Sequence, residues 1–241
     1  MKQTSITHFQ WGGGRENRPP SHQPRPYLEL VTTERQRKIF NRIVETHHSY
    51  VPTINYGGRR INWIIQDRVT RQVYGVIGIG SAIMALEDRD RWIGWSQRTR
   101  LQNLVMIANN WRFCLIENPP KNLGSKVLSL LCKVAPKEWK RKYGDELVLL
   151  ETLVEPPHDG TVYRAAGWKL VGYTKGTEYR WFKKDEIPWD EGWHVVQKYM
   201  KYGDKIDYDT WQCVRDNAKK RKMIFVKPLY PDFRLKLLTL R

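Results

Sequence analysis

The sequence predicts a mixed α/β domain whose central, mostly antiparallel sheet is flanked by helices. Two observations favour this class. Residues 61–79 contain two apolar runs of β type joined by a short polar segment, which is the pattern of a hairpin. Residues 111–174 then follow the order strand, Gly-containing loop, helix, strand, short helix and Gly turn. One domain preceded by a tail accounts for both patterns.

The N-terminal segment has the composition of a tail rather than of a folded element. Residues 1–30 are expected to be a flexible basic tail, because a Gly triplet and several prolines interrupt any periodic pattern. A helix follows, with Thr32 or Thr33 as its cap, and Pro52 prevents its continuation. Residues 31–241 are therefore predicted to form the folded domain.

The remaining elements follow from local patterns. Residues 88–95 are rich in Arg, Asp and Trp and are predicted to be a loop, and helical periodicity resumes over residues 101–108. Residues 183–215 mix aromatic and charged side chains, which suggests a helical insertion. A basic run then leads into residues 223–226, the predicted last strand.

Composition narrows the choice of partners. A chain of 241 residues with a formal net charge of +17 is expected to bind an anionic partner, most commonly nucleic acid. The alternative is a basic protein that is merely soluble. No apolar run approaches the roughly 20 residues of a membrane span. Three widely spaced cysteines (Cys114, Cys132 and Cys213) fit reduced thiols, so the predicted location is cytoplasmic, in the host cytoplasm if a phage encodes the chain.

The loop that precedes the central helix is a candidate site for a pyrophosphate. Asn122, Leu123, Gly124 and Ser125 open onto a helix N-terminus, where free backbone N–H groups bind phosphate. The loop lacks the Gly-Lys-Ser/Thr triplet of a Walker A motif. An ordinary helix start capped by Ser125 or Asn122 is the alternative. The flanking elements favour the functional interpretation, because together they reproduce the order of the acetyltransferase-like (GNAT-like) fold.

Two side chains on the elements after this helix are candidates for catalysis. Glu151 interrupts an apolar strand, where a carboxylate is costly unless it is functional or paired; the candidate structural partner is Arg112. Tyr163 lies on the short helix, where its phenol can donate a proton to a leaving thiolate or orient a substrate. A core tyrosine with a hydrogen-bonded hydroxyl is the alternative.

The segment His47-His48-Ser49-Tyr50 carries the chemistry of metal ligands. Adjacent histidines project differently, so at most one would share a centre with Tyr50 or a remote carboxylate, as in an iron site. His48 and Tyr50 are the candidate ligands. The alternative is a pair of histidines that stabilises the end of the preceding helix.

Cations interleaved with flat aromatic side chains indicate contact with DNA. A base removed from the duplex needs a stacking surface, and neighbouring phosphates need cations. A solvated charged loop with tryptophans anchored in the core is the alternative. The candidate DNA-binding residues are Arg89, Arg91, Trp92, Trp95, Arg98, Lys219, Lys220 and Arg221.

Five motifs carry a family resemblance, which covers about residues 45–182. The motifs are Arg89–Trp95, Asn109–Phe113, Asn122–Ser125, Leu150–Thr152 and Gly160–Trp168. In this order they resemble a motif set shared by Druantia-type anti-phage proteins and the Mom-type DNA-modification proteins of phage Mu. The resemblance implies an acetyltransferase-like fold and functional positions at Arg112, Ser125 and Tyr163, with Ser125 near the cofactor.

The resemblance also implies a reaction. Mom-type proteins add a carbamoylmethyl group to the exocyclic amine of adenine in double-stranded DNA, which protects phage DNA from host restriction. The expected donor is acetyl-CoA or a related acyl donor. Acyl transfer alone would give an amide and does not form the required bond between the adenine nitrogen and a methylene carbon. A redox metal is expected to supply that step, so iron is a second expected cofactor.

Alternatives from other classes remain open. One is a non-catalytic DNA-binding component of an anti-phage defence or mobile-element system. Another is acetylation of a protein or small molecule, for which the large positive charge has no evident use. No membrane partner is expected, and the sequence leaves the oligomeric state open, a homodimer included.

Overall fold

A computed structural model describes residues 24–47, 58–176, 178–189, 193–195, 207, 209–216 and 221–240. The strands are β1 (Pro26–Leu30), β2 (Arg60–Asp67), β3 (Val73–Ser81), β4 (Ile107–Leu115), β5 (Leu149–Val154), β6 (Lys169–Tyr173), β7 (Glu178–Lys183), β8 (Trp193–Val195), β9 (Trp211–Asp216) and β10 (Met223–Pro228). The helices are α1 (Glu34–His47), α2 (Glu87–Ile93), α3 (Gln97–Asn103), α4 (Leu123–Tyr143), α5 (Thr161–Ala165) and α6 (Phe233–Leu238).

Seven strands form the main sheet in the order β1-β2-β3-β4-β5-β10-β6. Neighbouring strands are antiparallel except β4 and β5, which are parallel. Those two strands pair over three positions only, from Ile107 opposite Leu149 to Asn109 opposite Glu151. Beyond these pairs the two strands continue without pairing, so a gap opens in the middle of the sheet. The architecture confirms the predicted acetyltransferase-like class, a mostly antiparallel sheet with flanking helices.

Alternation along the strands places side chains in two apolar layers. On one side, Leu150 and Val154 of β5 pack in a core with α4 and with Tyr163 of α5. On the other side, Leu149 packs with residues of α2 and α6. Helix α1 covers Trp111 and its neighbours in a third cluster. The two sides of β5 therefore have different environments, which decides where the functional side chains lie.

Helix α1 begins as the sequence predicts. The Gln36 backbone N–H donates to the Thr33 hydroxyl, and the Gln36 side chain accepts from the Thr33 backbone N–H. This reciprocal pair is a capping box, which satisfies amides that the first turn leaves without helical partners. The predicted hairpin of β2 and β3 and the predicted last strand, β10, are confirmed as well.

Four boundary predictions are corrected. The predicted tail of residues 1–30 ends too late, because residues 26–30 form β1 and pair with β2, while residues 1–23 lie outside the described part. The predicted loop at 88–95 contains helix α2, which ends at Gly94 in the left-handed conformation. The helical periodicity at 101–108 ends early, because β4 begins at residue 107.

The fourth correction concerns the predicted helical insertion at 183–215. Its described part contains strands, and β7, β9 and β8 form a second antiparallel sheet. Ile187, which follows β7, packs with Phe182 of β7 and Val214 of β9. Within the described residues, no helix has the length and hydrophobicity of a membrane span.

Candidate functional site

The gap between β4 and β5 is lined by a small polar network on the α4 side of the sheet. The Tyr163 hydroxyl donates to Oδ1 of Asn110 at 2.8 Å. The Thr152 hydroxyl donates to the backbone carbonyl of Asn110 at 3.1 Å. Asn110 and Thr152 directly follow the last paired positions of β4 and β5. The network therefore lies where the two strands separate.

A bulge in β4 adjoins this network. Gly80 pairs with Asn109, and Gly78 pairs with Arg112, so two residues of β4 lie opposite one residue of β3. The Asn110 side-chain amide fixes the bulge, because it donates to the carbonyls of Gly78 at 2.8 Å and of Arg112 at 2.9 Å. Asn110 thus holds both the bulge and the phenol. The predicted catalytic set did not include Asn110 or Thr152. The adjacent Asn109 and Asn110, polar residues in an otherwise apolar strand, were the sequence signal that could have indicated this part of the site.

Helix α5 places Tyr163 in the gap. The Tyr163 ring is buried and packs edge-on to Phe113 and Trp168 and roughly parallel to Phe225. The helix begins after Gly160, whose φ is +75°, and a Cβ there would lie 2.4 Å from the Phe225 ring. Only glycine fits this position without strain. The packing fixes the phenol and leaves its hydroxyl directed at Asn110.

The N-terminus of α4 presents amides beside the same gap. Asn122 has a φ of 62°, and its side chain makes no capping hydrogen bond. The Leu123 amide donates to Pro120 and the Lys126 amide donates to Asn122, whereas among the described residues the amides of Gly124 and Ser125 have no acceptor. Both are therefore candidates to bind an anion.

The rest of this predicted cofactor loop has a structural role. Leu123 is buried in the core, and a Cβ on Gly124 would lie 2.5 Å from a methyl group of Val162, so α4 and α5 meet closely here. The Ser125 hydroxyl donates to the Asn122 carbonyl at 3.1 Å. The side chains of Asn122 and Ser125 therefore do not cap the helix, which was the alternative interpretation of this loop.

Glu151 lies on the opposite side of the sheet and pairs with Arg89. Its side chain is fully buried; one oxygen accepts from Arg89 Nη1 at 2.6 Å and the other from the Ile83 amide at 2.7 Å. The suggested structural partner Arg112 is thus wrong. Because Glu151 alternates with Leu150, it faces α2, whereas Tyr163 faces α4. Glu151 and Tyr163, both predicted to be catalytic, therefore lie on opposite sides of the sheet.

Arg89 holds a charged network together. Its guanidinium also donates to Asp90 at 2.9 Å and to the carbonyl of Ile83 at 2.8 Å. Burial works to lower the pKa of Arg89, but the charges and hydrogen bonds of Glu151 and Asp90 outweigh it and raise this pKa. Arg89 is therefore cationic at any physiological pH. A fully buried side chain does not reach a surface phosphate, so its predicted contact with DNA is wrong.

Arg112 directly follows the bulge and pairs with Gly78. Its guanidinium donates to the Trp111 carbonyl at 2.9 Å, and its centre lies 4.6 Å from the centre of the Trp111 ring. Partial burial and cation–π stacking hold the side chain against Trp111. Asn109, which precedes the bulge, is buried opposite Glu151, and its Oδ1 accepts no hydrogen bond within the described part of the chain.

The predicted DNA-binding tryptophans pack into the protein. Trp95 is buried and donates to Asp90 at 2.9 Å. Trp92 stacks on Phe233, and the Arg234 guanidinium lies 4.7 Å from the centre of the Trp92 ring. These contacts match the alternative in which tryptophans anchor the segment to the core. Trp92 is only partly buried and retains some accessible surface.

The predicted cations differ in their environment. Arg98 is exposed, and Arg91 is exposed but pairs with Glu87 and Asp88. Arg221 is exposed and donates to the Thr174 carbonyl at 3.0 Å. Lys219 and Lys220 lie outside the described residues, as do the candidate metal ligands His48 and Tyr50. The described ranges contain no group of three His, Cys, Asp or Glu side chains arranged to hold a metal.

A cavity of about 220 Å³ lies beside α2 and α3, lined by Asp90, Trp95, Ser96, Gln97 and Arg100. Arg100 donates to Asp90 at 3.0 Å, and Asp90 in turn accepts from Arg89 and Trp95. The charged network therefore runs from Glu151 in the sheet to the wall of the cavity. Asp90 and Gln97 are absent from the predicted site, because no local pattern distinguishes them from solvated polar residues.

Comparison with known proteins identifies a sequence family. A profile of the family described as Druantia protein DruA matches residues 14–181. A curated relative of the same description from Escherichia coli (strain UMEA 4076-1) is 30% identical over 99 residues. These residues are 39% of this chain and 24% of the relative, so the match spans about a quarter of the relative's length. The Druantia part of the predicted resemblance is supported, and the likeness to Mom-type proteins stays a prediction.

Solved structures resemble the chain at low sequence identity. FeeM, an N-acyl amino acid synthase from uncultured soil microbes, is 14% identical with a TM-score of 0.44, covering 88% of this chain and 95% of its own. The aminoglycoside acetyltransferase AAC(6')-Ib in complex with coenzyme A is 11% identical with a TM-score of 0.45, covering 84% and 95%. Spermidine N-acetyltransferase from Vibrio cholerae, in complex with CoA and spermine, is 11% identical with a TM-score of 0.42, covering 86% and 98%.

Proposed function

The chain belongs to the family described as Druantia protein DruA, and from that premise we propose that it is a transferase that modifies the exocyclic amine of adenine in double-stranded DNA. The observation that carries the proposal is the Tyr163 phenol, held in the gap between β4 and β5 by Asn110. A fixed, buried proton donor at an opening in a sheet is a feature of a reaction site. The net charge of +17 supports DNA as the substrate.

The α4 N-terminus fits the phosphate end of an acyl-CoA-type donor. The amides of Gly124 and Ser125 have no acceptor within the described structure, and the exposed Lys121 and Lys126 add positive charge beside them. Amides and cations at a helix N-terminus are the groups that bind phosphate. Such a donor supplies an acyl carbon activated as a thioester. Iron has no supporting observation among the described residues, and the proposal does not depend on it.

The residues of the gap take separate roles. Asn110 orients the phenol as its acceptor before the reaction. As the adenine nitrogen forms its bond to the acyl carbon and the carbon–sulfur bond breaks, Tyr163 transfers its hydroxyl proton from this hydrogen bond to the leaving thiolate, and the proton that the amine loses restores the phenol. Arg112, held on Trp111 beside the bulge, is proposed to supply positive charge where negative charge develops. Glu151, bound to Arg89, fixes the position at which β4 and β5 separate and is a positioning residue.

Exposed cations are proposed to bind the DNA backbone. Arg98 and Arg221 are exposed, and the predicted contacts of Lys219 and Lys220 are retained as proposals. Phosphate contacts made by such side chains weaken steeply with salt and carry no sequence information by themselves. Salt-dependent DNA binding is therefore expected of both the enzyme and a binding protein, and product detection is what separates them.

The test is the nucleoside composition of DNA from cells that express the protein. We expect a heavier adenine nucleoside by mass spectrometry, whose mass identifies the transferred group. A carbamoylmethyl group and a simple acyl group give different masses, so the finer expectation from Mom-type proteins is tested at once. The same DNA should resist restriction enzymes that recognise adenine. An unchanged nucleoside profile in the presence of folded, soluble protein contradicts the proposal.

A non-catalytic DNA-binding role is the second candidate, and one observation favours it. Glu151, the carboxylate expected to act with Tyr163, is fully buried in an ion pair with Arg89 on the opposite side of the sheet. A protein that only binds DNA needs no carboxylate beside the phenol. Binding of CoA to the purified chain by calorimetry distinguishes the two roles, since only the transferase requires a donor.

A further inference from the structure

Four lysines form a row along the exposed face of α4. Lys126, Lys133, Lys137 and Lys140 follow one another at intervals of seven, four and three residues. At helical spacing this places them within about 60° of the helix circumference and over a length of about 21 Å. All four are exposed, and the buried residues of α4 lie on the opposite side of the helix. This lysine row therefore points away from the sheet into solvent.

The protein does not neutralise the charge of the lysine row. The single acidic residue of α4, Glu138, pairs with Arg141 at 2.7 Å. Within the described part of the chain, none of the four lysines forms an ion pair. Members of the row that lie three or four residues apart repel each other. The helix dipole favours Lys140 in the last turn but disfavours Lys126 in the first turn. The row is thus electrostatically unfavourable by itself, and an external anion would relieve it.

The rest of this face selects the kind of anion. No large apolar or aromatic side chain of α4, a helix that the structure describes in full, is exposed. Membrane-binding helices and the cores of protein interfaces use such side chains, and single-stranded nucleic acids need aromatic rings on which to stack. A duplex requires only cations for its phosphates, and about six base pairs lie beside a straight row of this length. The lysine row therefore fits a duplex backbone.

We propose that the lysine row is an anchoring surface for duplex DNA, in which each lysine contacts a backbone phosphate. The inference rests on the proposed function only in that DNA is the partner. Because the row faces away from the sheet, it is separate from the gap that contains Tyr163, and it adds a binding surface to the exposed Arg98 and Arg221. It contributes affinity without reading sequence, since phosphates carry no base identity.

The experiment measures how binding of a fluorescent mixed-sequence DNA duplex depends on salt, by anisotropy. The logarithm of the binding constant falls with the logarithm of the salt concentration by about 0.9 per phosphate contact. The row variant, Lys133→Gln with Lys137→Gln and Lys140→Gln, loses three contacts, so its slope should be smaller by about 2.7. Lys126 is kept, because it lies beside the amides proposed to bind the donor. An unchanged slope overturns the proposal.

A matched control removes the same charge from the other side of the sheet. Arg35, Arg37 and Lys38 are exposed on α1, which covers the face of the sheet opposite α4. Their joint replacement by Gln should leave the slope as in the wild-type protein. Equal losses in both variants would show that net charge, and not the row, sets the binding. Because Gln and Lys have similar helix propensities, the row variant should keep or raise the Tm; a lower Tm would contradict the absence of internal compensation.

The outcomes separate this inference from the proposed function. A smaller slope in the row variant without any modified nucleoside in the wild-type sample supports the anchoring surface and contradicts the transferase. A modified nucleoside with an unchanged slope does the reverse. Tighter binding of an RNA duplex of the same length, with the same loss of slope, would assign the row to RNA and overturn the proposal. If the wild-type protein binds no DNA duplex, both proposals are contradicted.

Discussion

Removal of one partner from the Arg89–Glu151 pair should unfold the protein more readily, because the other charge is left buried. Both side chains are fully buried, and Glu151 also accepts from the Ile83 amide. Breaking a buried ion pair from one side typically costs about 3–5 kcal/mol. We therefore expect Glu151→Ala and Arg89→Ala each to lower the free energy of unfolding by about that amount.

Urea denaturation followed by tryptophan fluorescence measures this loss. The double variant Arg89→Met with Glu151→Leu removes both charges and keeps apolar volume, so it should be more stable than either single alanine variant. Glu87→Ala is the matched control, because Glu87 forms an exposed ion pair with Arg91 on the same helix and should leave the urea midpoint unchanged. A stable Glu151→Ala protein would refute the structural role assigned to this pair.

Three further predictions concern packing and reactivity. Gly160→Ala should destabilise the protein by about 1–3 kcal/mol or more, measured as a lower Tm, because alanine at φ +75° is strained and its Cβ overlaps Phe225. Asn110→Ala should cost about 1–3 kcal/mol in urea unfolding, because the Tyr163 hydroxyl loses its recorded Asn110 acceptor and the Gly78 carbonyl loses a donor; an unchanged midpoint would contradict the network. Burial raises the pKa of the Cys114 and Cys132 thiols to about 11, so peptide mapping should show slow alkylation of both at pH 8, and a rate that rises toward pH 11; rapid alkylation of folded protein at pH 8 would contradict this.

The sequence predicts the elements whose signals are local. Helix α4 carries an apolar face at helical spacing, and β5 is a short, mostly apolar segment interrupted by Glu151, so both are predicted from local sequence. Helix α2 is missed because its seven residues are almost all charged and its only apolar side chains lie at its end. Its helical form depends on contacts made by Arg89 and Asp88 with distant strands, which no local pattern contains.

The candidate site is predictable only in part for the same reason. Tyr163 and Glu151 are predictable as candidate site residues because each is a polar side chain in an apolar segment. The side of the sheet that each one faces depends on the pairing of β4 with β5, which the sequence does not give. The partner of Glu151 is 62 residues away in the sequence, so neighbouring strands suggested Arg112 instead. The buried Trp95 and the cavity beside it arise from packing of α2 and α3, which composition does not reveal.

The most direct test compares DNA from cells that express the wild-type protein with DNA from cells that express Tyr163→Phe. Tyr173→Phe is the control, because Tyr173 is an exposed tyrosine outside the gap. We predict a heavier adenine nucleoside with the wild-type protein and with Tyr173→Phe, and none with Tyr163→Phe, at equal amounts of soluble protein and similar Tm. An unmodified profile in all three samples, or undiminished product with Tyr163→Phe, would contradict transfer at the gap between β4 and β5.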